Sequence, residues 1–141
     1  MSKHLLLIDD EDWFVEPILD RLSFEGIQCR YCRTGFAGLK EFRAHPNRYG
    51  IVILDMKLSM GERPRDVDVA DLDGYRVAGI YLLEKIRSLA PDLPVIGYTV
   101  LDDQSIREAI GRLGGIHLAK AADEDELYRL IHHHLRKTDD V

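Results

Sequence analysis

Short, unbroken apolar runs alternate along the chain with stretches whose apolar residues recur every three or four positions. Leu5-Leu6-Leu7-Ile8 and Ile51-Val52-Ile53-Leu54 are the clearest runs, and Leu93 to Tyr98 is a third. Runs this short, without alternation, predict strands buried on both faces. Ile27 to Cys32 and Ile116 to Ala119 complete a set of strand-like segments. Between them the period changes. Phe14, Ile18, Leu19 and Leu22 share one helical face, with Asp12 expected as N-cap, Pro17 in or near the first turn and Gly26 closing the helix. Phe36, Leu39 and Phe42 point inward from a helix over Gly35 to Ala44, which His45-Pro46-Asn47 ends. Gly79 to Arg87 is helical. So is Asp103 to Leu113, through Ile106, Ala109 and Ile110. A last helix runs from Asp123, its expected N-cap, to Arg136, through Leu127, Leu130, Ile131 and Leu135.

Strands alternating with helices imply an α/β fold, a doubly wound parallel sheet with helices on both faces. Right-handed crossovers leave few topologies, and the simplest five-stranded one is the flavodoxin-like order 2-1-3-4-5. The 141 residues suit a single domain, 1–141. The highly charged stretch from Met60 to Val77 fits none of these periods. It reads as a long surface loop inserted between the Asp55 strand and the next helix, about residues 60–78.

In such a sheet chemistry gathers outside the carboxyl ends of the strands. The order 2-1-3-4-5 brings four strand ends to one rim: Asp9 and Asp10, Asp55, Thr99, and Lys120. Three neighbouring carboxylates repel one another, so a hard divalent cation is the natural partner, Mg²⁺ first and Mn²⁺ second. Lys120 can pair with Asp55 or with a phosphoryl oxygen, and the Thr99 hydroxyl can donate to another oxygen. Asp55 is thereby suited to attack phosphorus and form an aspartyl-phosphate. Charge neutralisation and positioning would supply most of the catalysis.

Composition narrows the reading. The formal net charge of −6 argues against direct nucleic-acid or membrane-surface binding. No run of apolar residues is long enough for a membrane span, and the start does not read as a signal peptide, so a cytoplasmic location is expected. Cys29 and Cys32 form a C-x-x-C, but three positions apart on a strand they point to opposite faces, which fits neither a redox pair nor a zinc site. His132-His133-His134 point about 100° apart on a helix and cannot converge on one ion. They read as cations near a helix C-terminus.

The chain resembles the receiver domain of two-component response regulators over about residues 4–136. Leu5 to Glu11 looks like the family's opening motif and Ile51 to Leu58 like its phospho-acceptor strand. Gly79 to Arg87 matches its third helix, Val95 to Thr99 its fourth strand, and Leu118-Ala119-Lys120 its lysine turn. The resemblance implies a phosphoprotein of a two-component phosphorelay. Asp55 would accept phosphate from a histidine kinase or phosphotransfer protein. Asp10 would bind Mg²⁺ directly and Asp9 mainly through water, with the Lys57 backbone carbonyl completing the metal site. Thr99 and Lys120 would sense the phosphoryl group. Self-catalysed phosphotransfer and dephosphorylation are the only chemistry implied, so the chain is expected to be a signalling module rather than an enzyme. No helix-turn-helix follows the last helix, which leaves a downstream protein, its identity open, as the expected recipient of the signal. The family often pairs through its fourth helix, fifth strand and fifth helix, so Ile106 to Lys137 is a candidate homodimer face.

Departures from the family pattern are as informative. Ser59 and Ala121 stand where prolines are usual, and a cis bond before Ala121 would cost roughly 2.5–4 kcal/mol over trans, far more than before a proline. Val100 follows Thr99 where a smaller residue is usual, which narrows access to the phosphoryl site. His117 occupies the place of the aromatic switch residue. The Lys57 side chain would overlook the attacking water and slow hydrolysis. Three alternatives stand beside this reading. The first is a pseudo-receiver that is never phosphorylated. The second is a phosphatase of the haloacid dehalogenase type, which wants an Asp where Lys57 stands. The third is a flavodoxin-like cofactor binder, whose phosphate the Asp9-Asp10-Glu11-Asp12 run would repel.

Overall fold

A computed structural model describes residues 3–66, 77–122 and 124–139, the side chains of 137–139 excepted. Five parallel strands lie in the order β2-β1-β3-β4-β5, as the alternation of elements implies. They are β1 (His4–Ile8), β2 (Cys29–Cys32), β3 (Tyr49–Leu54), β4 (Val95–Thr99) and β5 (Ile116–Ala119). Between and after them run α1 (Asp12–Phe24), α2 (Gly35–Ala44), α3 (Ala78–Leu89), α4 (Gln104–Arg112) and α5 (Glu124–Asp139).

The apolar runs explain the layering. Leu6, Ile8, Val52, Leu54 and Val95 face one side of the sheet, where Phe36, Leu39 and Phe42 of α2, Leu82, Leu83 and Ile86 of α3, and Ile106 and Ile110 of α4 cover them. Leu5, Leu7, Ile51, Ile53 and Ile96 face the other side, under Val15, Ile18 and Leu22 of α1 and Leu127, Tyr128 and Ile131 of α5. All six residues of β3 are buried, so the central strand has no polar face to offer. Cys29 joins one layer and Cys32 the other, and both thiols are free, as the strand period requires.

Several local expectations need correcting. Asp12 is the first residue of α1, not its cap: Glu11 takes the cap position without a side-chain bond. The Asp12 carboxylate instead accepts from the Tyr31 hydroxyl at 2.7 Å and pairs with Arg33 at 2.9 Å. Pro17 is the sixth residue of α1 rather than a first-turn residue, so it offers no N–H to the Trp13 carbonyl. The second strand begins at Cys29, two residues later than the apolar pattern indicates, whereas β3 starts earlier, at Tyr49. Asp103 caps α4 through the Ile106 N–H at 2.9 Å rather than opening it. Asp123, the expected cap of the last helix, lies outside the described residues, as do residues 67–76 of the insertion. No cis peptide bond occurs among the described residues, so the bond before Ala121 is trans.

Two glycines hold the frame. Gly26, at φ +75°, turns the chain out of α1. Gly79 sits where a Cβ would lie 2.3 Å from the Met56 Cα, so only glycine lets α3 begin against the end of β3.

Candidate functional site

The carboxyl ends of β1, β3 and β5 converge. Asp55, one residue beyond β3, is 1% exposed, and Asp9, one residue beyond β1, is 2% exposed. Both reach their places because an apolar strand pulls its last peptide units inward. Lys120 follows β5, and its Nζ lies 2.8 Å from Asp9 Oδ2, 3.0 Å from Asp55 Oδ2 and 3.3 Å from Glu11 Oε1. The aliphatic stem ends over the Phe14 ring, with Nζ 4.5 Å from its centroid. Backbone donors hold one oxygen each of Asp9, Asp55 and Asp10. The Glu11 N–H reaches Asp9 Oδ1 at 2.9 Å, the Lys57 N–H reaches Asp55 Oδ1 at 3.3 Å, and the Ser59 N–H reaches Asp10 Oδ2 at 2.9 Å. Asp10 itself is exposed.

Charge is unbalanced here. Asp9, Asp10, Glu11 and Asp55 each offer a carboxylate oxygen within 4.8 Å of the others, against the single ammonium of Lys120. Burial pushes the Asp9 carboxyl above its usual range despite its bond to Lys120. Burial also works against the Lys120 charge, but the hydrogen bonds to Asp9 and Asp55 outweigh it and hold the ammonium above the usual lysine range. Lys120 therefore stays protonated, and the rim carries surplus negative charge. An oxygen-only donor set of this kind fits a hard divalent cation.

Thr99 ends β4 fully buried, and its carbonyl accepts the Lys120 N–H at 2.9 Å. Its hydroxyl accepts the Leu101 N–H at 3.2 Å, which leaves the hydroxyl proton free to donate. The Leu101 carbonyl accepts from His117 Nε2 at 2.9 Å, with Asp102 Oδ1 3.7 Å from the same nitrogen. Thr99 and His117, read separately in the sequence, thus meet on one residue. Val100 is 60% exposed beside them, and the Lys57 side chain is exposed. A groove of about 700 Å³ opens next to the rim between α3 and α4, lined by Lys57, Leu58, Ala78, Leu101 and Ile106 among others.

The structure brings together Asp9, Asp10, Asp55 and Lys120, and sets Thr99 on the adjacent strand end. Glu11 and Ser59 belong to the same rim but were not singled out from sequence for the cation. Glu11 was readable as the next acid of the run after β1, whereas the role of Ser59 is played by its backbone and leaves no side-chain signal. The histidine run is not a ligand set: His132 Nε2 pairs with Glu25 Oε2 at 2.7 Å, while the His133 and His134 rings meet edge to face.

No family model matches the sequence, and a search of the curated proteins finds no match. Solved structures do match. A CheY-like response regulator receiver domain protein from Methanospirillum hungatei superposes with a TM-score of 0.76 at 22% identity, covering 99% of this chain and 98% of that one. A two-component response regulator from Clostridium difficile gives 0.76 at 20% identity, over 97% and 98% of the two chains. A chain of the CheX–CheY–BeF₃–Mg²⁺ complex from Borrelia burgdorferi gives 0.71 at 18% identity, over 92% of this chain and 86% of that one. At this identity the likeness establishes the fold: the chain has the receiver fold of two-component response regulators, with an acidic pocket at the carboxyl rim of the sheet.

Proposed function

We propose that residues 1–141 act as one phosphorylatable receiver, in which Asp55 takes a phosphoryl group from a histidine kinase or phosphotransfer protein. The observation that carries this is the Asp55 carboxylate at the end of a wholly buried strand, 3.0 Å from Lys120 Nζ and inside a cluster of four acids. An Asp55 oxygen attacks phosphorus, the P–N bond to the donor imidazole breaks, and the imidazole leaves with the bonding pair. Lys120, released from part of its pairing with Asp55, follows the transferred oxygens, and the Thr99 hydroxyl donates to another of them. Asp9, Asp10, Asp55 and the Lys57 carbonyl would hold Mg²⁺, or Mn²⁺ in its place. When bound, the ion neutralises charge on the phosphoryl oxygens. Fluoroberyllate and Mg²⁺ accompany the Borrelia relative, which supports the same pairing here.

Thr99, Leu101 and His117 are the route by which the rim reaches the surface, with Val100 narrowing the approach. The signal passes through protein contacts to a downstream partner, and Ile106 to Lys137 is the face we assign to self-association. No described helix is long and apolar enough to cross a membrane, which suits a cytoplasmic role. Lys57 overlooks the attacking water, and Lys57→Ala is expected to speed dephosphorylation a few-fold; unchanged decay of the phosphorylated form would remove that role.

A second reading, a pseudo-receiver, has one observation in its favour. Both Asp55 oxygens are already engaged, by Lys120 and by the Lys57 N–H, and the residue is almost fully enclosed. Incubation with Mg²⁺ and acetyl phosphate separates the two. The receiver gains one phosphoryl group in the intact mass, and Asp55→Asn gains none. An unmodified wild type would establish the pseudo-receiver, and modification of Asp55→Asn would mean another nucleophile.

A further inference from the structure

Ser59 joins the acidic rim to the start of α2. Its N–H donates to Asp10 Oδ2 at 2.9 Å, its carbonyl accepts the Gly35 N–H at 2.9 Å, and its hydroxyl accepts the Gly61 N–H at 3.3 Å. The Met60 carbonyl accepts the Phe36 N–H at 2.9 Å. Gly35 and Phe36 open α2, where N–H groups have no partner within the helix. The Thr34 hydroxyl serves Ala37, so the chain leaving the acidic rim supplies the rest of the cap. The fit is tight: a Cβ on Gly35 would lie 2.4 Å from Met60 Sδ, and one on Gly61 would lie 2.8 Å from the Thr34 Cβ. Beyond Gly61, residues 62–66 continue along α2, lining with Phe36 and Lys40 a groove of about 670 Å³.

We infer that Ser59 is a positioning residue for the cation site: its N–H orients Asp10, and its carbonyl carries the position of Asp10 to the first turn of α2. This rests on the reading of the rim as a cation site. An exposed carboxylate must give up side-chain freedom when it binds a cation. Asp10, held by one oxygen, has already done so and keeps its other oxygen for the ion. Outer-shell partners of metal-binding carboxylates contribute about tenfold to a hundredfold in affinity. Because the Ser59 N–H and carbonyl belong to one residue, a cation that fixes Asp10 also fixes the acceptor of the Gly35 N–H. The occupied site is thereby felt at α2, which shares a layer with α4 but lies toward the β2 edge of the sheet, away from β5.

The test is Mg²⁺ titration of the whole chain, followed by the fluorescence of Trp13, which is exposed at the start of α1, together with amide exchange at Gly35 and Phe36. Ser59→Pro removes the donor and is expected to weaken Mg²⁺ binding about tenfold, whereas Ser59→Ala keeps the N–H and stays within about twofold of wild type. In the wild type, Mg²⁺ slows exchange at Gly35 and Phe36 several-fold. Equal affinities for Ser59→Pro and wild type would overturn the inference, as would exchange at both amides indifferent to saturating Mg²⁺. Wild-type protein that binds no Mg²⁺ would overturn the cation reading itself and this inference with it, a result distinct from either. If Ser59→Pro loses its far-ultraviolet dichroism, the wild-type exchange experiment still decides.

Discussion

The two rims of one sheet treat charge in opposite ways. At the amino-terminal rim, the Arg87 guanidinium near the end of α3 donates to five backbone carbonyls. Nε reaches Leu113 at 2.7 Å, one Nη reaches Ala90, Pro91 and Leu93 at 3.0, 2.9 and 2.7 Å, and the other Nη reaches Gly114 at 3.3 Å. Burial draws its pKa down, but a guanidinium stays charged. Neutral dipoles take all of these hydrogen bonds, with the Asp92 carboxylate adding only a coulombic attraction, so the fixed fork fastens α3 to the entries of β4 and β5 mainly through backbone carbonyls. At the carboxyl-terminal rim, Lys120 faces carboxylates that outnumber it, and the charge is left incomplete. A cation satisfied mainly by dipoles has little further to bind, while a cluster with surplus negative charge keeps an attraction for cations. One rim is built to hold and the other to change.

That contrast is open to direct attack. Arg87→Ala leaves several carbonyls without their donor and is expected to cost about 3 kcal/mol or more in urea denaturation. Arg87→Lys should recover less than half, because an ammonium cannot reproduce the planar fork. Mg²⁺ should change neither figure. If Arg87→Ala is near neutral, the fastening is ornamental and the comparison fails at its rigid end.

Lys120→Met is the counterpart, with an expected loss of about 2 kcal/mol near pH 8, less than the 3–5 kcal/mol typical of a fully enclosed pair because the rim is open at Asp10. Here Mg²⁺ should restore part of the loss by supplying the missing positive charge. The folded pKa of Lys120 lies above the free-lysine value of 10.5. Its contribution is therefore complete below about pH 10 and fades as pH rises through the folded value. The difference between wild type and Lys120→Met should be flat from about pH 7 to about pH 10 and shrink above that. A variant gap that widens in alkali would contradict this assignment.

Asp55→Asn should move stability the other way. Removing one of the crowded acids is expected to raise the melting midpoint by the equivalent of about 1 kcal/mol without Mg²⁺, and by less with it. A destabilised variant would mean that the pairing with Lys120 outweighs the repulsion, and that the rim is more nearly balanced than its acids imply.

The responsive rim was legible in the sequence and the rigid one was not. Asp9, Asp55, Thr99 and Lys120 each follow an apolar run, so strand ends and topology alone bring them to one edge. Arg87 gives no such signal. A basic residue in the last turn of a helix is ordinarily read as a solvated charge, and the carbonyls it gathers come from two connecting segments with no side-chain code. Ser59 stands out in the sequence only as a departure from the usual proline, and its link to Asp10 leaves no signal, since a backbone N–H is present in any non-proline residue. Asp12 misled in the opposite sense. Its residue type suggests a cap, but Tyr31 and Arg33 on the neighbouring strand end offer its carboxylate better partners.

His117→Phe is the mildest test. The lost bond from Nε2 to the Leu101 carbonyl is half-buried and is expected to cost about 0.5–1 kcal/mol. The informative readout is not stability but exchange at the Leu101 amide, which donates to Thr99 Oγ1. Leu101 is held at both ends, by Thr99 through its N–H and by His117 through its carbonyl, so freeing the carbonyl should loosen the amide and quicken its exchange several-fold. The Thr99 hydroxyl would then lose a fixed neighbour while β5 keeps its register with β4. Unchanged exchange would mean that the two bonds act independently. In that case the carboxyl-terminal rim would hold charge that can be rearranged, but no route from Thr99 to the surface through His117.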